Sequence, residues 1–254
     1  MGTRIIANDV TAPWYSKVIP PVTRGLEAWF TFNTDAARFN INRAIGKENG
    51  IIVGNPVAYP THGRFKGLAN YIQTQISETD QLTIVVVGKA VNAIPAGASS
   101  TGDANTPFYA GNHRGESMTP GYTGQVYGSA IYHVLPDATG GGSSKDNGAG
   151  GFSNYTVSLA GETPTSWAIR TLRVGPSGTD SIINSTRNAK ADRLQATPRV
   201  LSSNKMRIGS GTTGFAAEVD IAGVAIYSVA LTDSELALVA DSWRKHMAAL
   251  GVTV

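Results

Sequence analysis

The chain has 254 residues, a formal net charge of +3, no cysteine, 29 glycines and 15% charged residues. Lack of cysteine excludes disulfides and thiolate metal sites, and so mild a basic balance, with a pI near 9.1, does not specify nucleic acid or an anionic surface as partner. Abundant glycine punctuating short apolar runs is the composition of an all-β chain with many turns, and the length is enough to bury a large core.

Residues 1–24 read as an extended N-terminal arm. They contain Trp14, Tyr15, Pro20 and Pro21 with no period of two or of 3.6, so the segment cannot bury itself. It is expected to drape over the body or dock on a partner, with Trp14 and Tyr15 as its anchors in assembly. The start, MGTRIIANDV, lacks an apolar stretch between a basic lead and a small-residue cleavage site, so no secretion signal is expected. No run of eighteen apolar residues occurs anywhere, which argues against a membrane-spanning helix.

Residues 25–254 read as one domain. It opens with a strand in which Leu26, Ala28, Phe30 and Phe32 alternate with Glu27, Trp29 and Thr31. The continuous β-branched run from Leu82 to Ala90 predicts a strand buried on both faces. Two Gly/Ser/Pro-rich stretches, 93–108 and 136–151, are expected to be long loops, the second almost a linker. Between them lies a segment rich in aromatic and polar side chains. Tyr109, His113, Arg114, Tyr122 and Tyr127 are its candidate ligand-binding residues, because aromatic faces stack on sugar rings and the polar groups hydrogen-bond to hydroxyls. The competing reading makes Tyr127, Ile131 and Tyr132 ordinary half-buried strand residues.

Further strands are expected at Trp167–Val174 and Lys205–Ser210. The span from Arg170 to Arg207 concentrates basic residues: Arg170, Arg173, Arg187, Lys190, Arg193, Arg199, Lys205 and Arg207, against Asp180 and Asp192. Their spread over several strands and turns predicts a solvated, mixed surface rather than one basic patch. The strand EVDIAGVAIY then leads to a helix predicted over 233–250. Thr232 and Glu235 form a capping box at its start. Leu236, Val239, Trp243, Met247 and Leu250 make one apolar stripe, and Gly251 supplies the left-handed residue that ends it.

The tail carries a resemblance. Asp220, Ile221, Ala222, Val224, Ile226, Tyr227, Ala230, Leu231, Thr232, Asp233 and Trp243 match the closing strand and helix of concanavalin A-like lectin/glucanase domains, the laminin G-like jelly rolls, in the form found in tailed bacteriophages and prophages. The opening strand from Gly25 to Phe32 and the short strand around Met206 and Ile208 resemble other parts of the same domain, so the likeness runs over roughly residues 25–251. It implies an all-β, concanavalin A-like jelly-roll β-sandwich with an N-terminal extended arm and a C-terminal amphipathic helix. It also implies a non-enzymatic structural or binding module of a virion: a tail, baseplate or fibre component, or a capsid decoration. Expected partners are other virion proteins, further copies of the chain and a host surface polysaccharide. The chain would be made in the host cytoplasm and carried on the virion. The alternative is a free lectin-like carbohydrate-binding domain or a vestigial glycoside hydrolase.

Catalytic chemistry finds little support in the residues. Retaining glucanases of this fold resemble one another in a strand motif with three same-face carboxylates. Here Glu218 and Asp220 begin such a row, but Gly223, preceded by Ala222, stands where the acid belongs. His62, His113, His133 and His246 are isolated, with no paired metal-ligand spacing. No nucleophile elbow or phosphate loop occurs, no nucleic-acid-binding motif accompanies the basic residues, and no cofactor is expected. Asp137, Asp146 and Asn147 are loop oxygen donors, but their spacing matches no defined calcium loop.

Overall fold

The apolar run Leu82–Ala90 forms strand β6, and both faces are covered because it lies in the middle of a sheet with a second sheet on one side and a helix on the other. Leu82, Ile84 and Val86 enter the core between the sheets, while Val85 and Val87 point the opposite way, into a cluster shared with the helix. The structure is a computed structural model that describes residues 17–98 and 104–254.

Two large antiparallel sheets pack as a sandwich. The first has eight strands. In spatial order it runs β15 (Ala189–Leu194), β14 (Thr179–Asn184), β13 (Ala168–Val174), β6, β17 (Glu218–Tyr227), β4 (Gly63–Lys66) and β3 (Val57–Ala58). The eighth strand, β1 (Leu26–Thr31), pairs with the far half of β17, beyond the stretch that β4 occupies. The second sheet has seven strands in the order β12 (Phe152–Ala160), β11 (Ala138–Asp146), β10 (Ala130–Leu135), β7 (Phe108–Gly111), β16 (Arg207–Ile208), β5 (Tyr71–Gln73) and β2 (Ile51–Val53). A small hairpin of β8 (Gly115–Glu116) and β9 (Gln125–Val126) leaves the second sheet after β7. This is the all-β sandwich with a closing helix that the sequence predicts.

The closing strand and helix follow the sequence closely. In β17, Val219 and Ile221 face the inter-sheet core, as do Val224 and Ile226. The phase changes between them because the pairing with β6 slips between Ile221 and Gly223, and a bulge of this kind shifts which residues face inward. Helix α1 (Asp233–Ala249) starts at the Thr232–Glu235 capping box and is followed by Leu250 as its cap, with Gly251 in the left-handed region at φ 74°. Leu236, Val239, Ala240, Trp243 and Met247 are its buried residues. Trp243 stacks on Trp29 of β1, with centroids 4.4 Å apart and planes 5° from parallel. A ring pair of this kind contributes about 0.5–1.5 kcal/mol beyond area burial. The indole lies directly on Gly223, where any Cβ would collide with its ring.

Three expectations need correction. The 136–151 stretch is not a loop: residues 138–146 form β11, paired along its whole length with β12 and over Ala138 to Gly142 with β10. Its glycines are what allow it to sit there, since a Cβ on Gly141 would come within 2.6 Å of Ile182 from the first sheet, and one on Gly142 would strike the Tyr155 carbonyl. The basic span does not form a uniformly solvated surface either. Arg170 is buried against Glu162 at 2.9 Å, and Arg199 pairs with buried Glu78 at 2.9 Å. Their acids lie outside the span, so composition within it could not show the pairing. The expected Lys205–Ser210 strand reduces to Arg207–Ile208.

The beginning of the described chain is tied down. Val18 bridges Ala44, Val22 is buried in the cluster beneath the helix, and Arg24 reaches Glu235 at 2.7 Å. Trp14 and Tyr15 lie outside the described residues. Among the described residues no helix is long and apolar enough to cross a membrane.

Candidate functional site

Strand β7 and the hairpin after it carry the expected ligand residues, but the sheet sorts them to different depths. Tyr109 points inward and is fully buried. Its ring lies 5.4 Å from His133 and 5.6 Å from the Arg170 guanidinium, and burial pushes its hydroxyl up to about 12. It is a core residue and not a ligand contact, because β7 sits mid-sheet and its inward face meets the opposite sheet. His113 is also withdrawn from the surface. It is 3% exposed and packs among Phe108, Tyr127 and Phe215. Burial first, then the charge of Arg114, lower its pKa to about 4, so near neutral pH it is an uncharged packing group behind Tyr127.

Arg114 and Tyr127 come together, both half-buried. The Arg114 guanidinium stands 4.8 Å from the centre of the Tyr127 ring, a distance at which cation and ring quadrupole attract. The backbone holds both partners. Asn204 donates to the Arg114 carbonyl at 2.6 Å, and the Tyr127 amide donates to the Ser144 hydroxyl of β11 at 2.9 Å. Tyr122, in the turn between β8 and β9, reaches the far end of β11, where its hydroxyl donates to Asp146 at 2.7 Å. That hydrogen bond to a carboxylate raises the Tyr122 pKa and lowers that of Asp146.

Strand register adds residues that sequence reading missed. Ser144 faces Asn154 across the β11–β12 pair, and Gly142 faces Thr156. Asn154 donates to the Thr156 hydroxyl at 3.0 Å, and the Tyr132 hydroxyl lies 3.4 Å from the same oxygen. Arg114, Tyr127, Asn154 and Thr156 therefore line one outer face of the second sheet. The amide and hydroxyl are on β12, a strand that the sequence analysis did not identify, and their neighbours in space come from other segments of the chain.

Of the two carboxylates that begin the glucanase-like row, Asp220 is engaged. Asp220 on β17 accepts from Arg64 at 2.8 Å and 3.2 Å. His62 Nε2 lies 3.4 Å from the same carboxylate and Lys89 Nζ 3.8 Å from it. Burial by itself would raise the Asp220 pKa; His62 and Arg64 outweigh it and hold the carboxyl below its ordinary value. The next position in the glucanase row, Gly223, lies under the Trp243 indole, so the row ends beneath the helix. Asp146 and Asn147 are taken up by turn hydrogen bonds to Gly148, Ala149 and Gly151. Among the described residues no three metal-ligating side chains cluster.

No family model and no curated protein matches the sequence. Solved structures do match the fold. The binding domain of botulinum neurotoxin DC in complex with SialylT has a TM-score of 0.58 at 9% identity, over 86% of this chain and 51% of that one. The receptor-binding domain of botulinum neurotoxin D has a TM-score of 0.57 at 10% identity, over 86% and 53%. A Trypanosoma rangeli sialidase has a TM-score of 0.55 at 14% identity, over 91% and 36%. The chain thus spans about half or less of each of these structures. At such identities the likeness shows a shared β-sandwich architecture.

Proposed function

We propose that this chain is a non-enzymatic carbohydrate-binding module whose ligand surface is the outer face of the second sheet around Arg114 and Tyr127. The observation that carries this reading is the Arg114–Tyr127 pair beside Asn154 and Thr156. A tyrosine ring offers an apolar face to the C–H groups of a sugar, and guanidinium, amide and hydroxyl groups supply donors and acceptors for its hydroxyls. Architecture alone does not carry function. Even so, the neurotoxin DC domain is described with SialylT, and type C cell entry as dependent on two ganglioside molecules, which makes a glycan the first ligand class to test here. The commitment of Asp220 to Arg64 and His62 supports a binding role over hydrolysis, because a carboxyl held ionised and nearly buried by its partners is a poor proton donor to a leaving group.

The resemblance of residues 218–243 to phage and prophage domains supports a virion component, carried on a tail, baseplate, fibre or capsid, with residues 1–24 as the docking arm.

The test is calorimetric titration of the full chain with a panel of neutral oligosaccharides. At least one is expected to bind, and Tyr127→Ala and Arg114→Ala are each expected to weaken it about tenfold. Binding unchanged in both variants, or no binding across the panel, would contradict the reading.

A further inference from the structure

Helix α1 covers only part of the first sheet's outer face. Val85 and Val87 of β6 and Ala222, Ala225 and Tyr227 of β17 lie beneath it. Beyond the helix the same face continues with Lys89 on β6, Asp220 on β17 and Arg64 on β4, because side chains two apart on a strand share a face. Trp167, just before β13, and Tyr59 and His62, in the turn from β3 to β4, flank these three.

The group is ordered by its rings. The Arg64 guanidinium lies 4.9 Å from the Tyr59 ring centre. Tyr59 stacks on His62 at 4.7 Å with planes 9° apart, and His62 meets Trp167 at 5.2 Å in an edge-on contact. At the far end the Lys89 ammonium stands 5.5 Å from the Trp167 centroid. A chain of three rings thus holds a cation at each end, around one carboxylate.

That arrangement leaves hydrogen-bonding capacity unspent. A ring attracts a cation through its quadrupole and uses up no N–H donor. Arg64 gives Nε and one terminal nitrogen to Asp220. Lys89 Nζ is 3.8 Å from that carboxylate, beyond hydrogen-bond length, and it makes no hydrogen bond among the described residues. The Asp220 side chain is only 2% exposed, whereas those of Arg64 and Lys89 are 28% and 29% exposed. An incoming ligand therefore meets the cations and not the acid. Glu218 is the other carboxylate on this face, and it sits opposite Lys66, so three cations stand against two acids.

We propose that this face is an anion-binding site for the carboxylate or sulfate of an acidic saccharide, with Lys89 and Arg64 as its contacts. The exposed parts of Trp167 and Tyr59 beside them suit a sugar ring better than a free inorganic ion. The site lies on the opposite sheet from the Arg114–Tyr127 surface and stands independently of it.

The test titrates the full chain with oligogalacturonate, with a sulfated dextran oligosaccharide, and with neutral dextran of equal length. Binding is expected for one or both acidic probes, which distinguishes carboxylate from sulfate, and it should weaken with added salt. Lys89→Gln, which leaves the Arg64–Asp220 pair intact, is expected to lower acidic-probe affinity about tenfold. Tyr127→Ala should not change it. Asp220→Asn, where it folds, should tighten binding by removing the competing carboxylate, an outcome that a purely structural cluster does not predict. No acidic probe bound at millimolar concentration, or equal affinity in wild type and Lys89→Gln, would overturn the proposal. So would a loss confined to Tyr127→Ala, since it would move acid binding to the other sheet.

Discussion

His133 sits between the sheets with Nδ1 2.8 Å from the Ala138 carbonyl, an arrangement that suits a neutral imidazole donating one proton. Burial first, and the Arg170 charge second, lower its pKa to about 3; His113 behaves likewise at about 4. An unfolded chain binds protons on both near pH 6.5, and the folded chain refuses them, so stability falls as pH drops below that value. The expected loss is on the order of 2 kcal/mol per histidine between pH 6.5 and about pH 4.5, measured by urea unfolding at the two pH values. Glu235, lowered to about 2 chiefly by its hydrogen bond from Arg24, and Asp220 have depressed folded-state values. Their contributions are lost only in the more acidic range, as pH falls from the unfolded carboxylate value through the folded one. His133→Gln should remove about half of the slope above pH 4.5, and an unchanged slope would contradict the assignment. This behaviour was hidden in the sequence, where four isolated histidines carry no sign of which are buried. Tyr109 was misjudged for the same reason: alternation shows that successive side chains face opposite ways, and only the neighbouring sheet decides which way is inward.

Strand β11 shows what element-scale reading misses. The runs at Leu82–Ala90 and Glu218–Tyr227 declare themselves through β-branched side chains, and α1 through its cap, stripe and terminal glycine. In β11 the sequence ATGGGSSKD reads as a linker because the material filling its space belongs to other strands: Tyr132 lies over Gly140, and Ile182 reaches Gly141. Ser143 and Lys145 complete the inward face by meeting buried Asp180 at 2.6 Å and 2.9 Å. A buried ion pair of this type is weak evidence for stability but strong evidence for where the strand lies. Gly142→Ala would press a methyl group onto the Tyr155 carbonyl, and overpacking against backbone is expected to cost about 2 kcal/mol or more. Thermal or urea unfolding at wild-type stability would show that the strand does not require the glycine. Because β11 aligns Ser144 with Asn154, the proposed ligand face depends on the element that the sequence concealed.

At the scale of the whole molecule, the sandwich presents two unlike outer faces. One carries α1 and, beside it, a cationic and aromatic cluster; the other carries Arg114 and Tyr127 with amide and hydroxyl neighbours. The sandwich and its closing helix were legible from strand runs and the tail, whereas each face is assembled from separate chain segments: Tyr59 to Lys89 with Trp167 and Asp220 on one, Arg114 and Tyr127 with Asn154 and Thr156 on the other. The docking arm is tested by light scattering of the full chain beside a version lacking residues 1–16, which keeps Val22 in the core and the Arg24–Glu235 pair. The full chain is expected to assemble and the shortened one to remain a folded monomer; equal masses would remove the assembly role. The central claim, carbohydrate binding on the second sheet, is tested most directly by mapping backbone amide shifts on adding the neutral oligosaccharide that binds best. Shifts concentrated at Arg114, Tyr127, Ser144, Asn154 and Thr156 are predicted, and shifts concentrated elsewhere, or none with any saccharide, would contradict it.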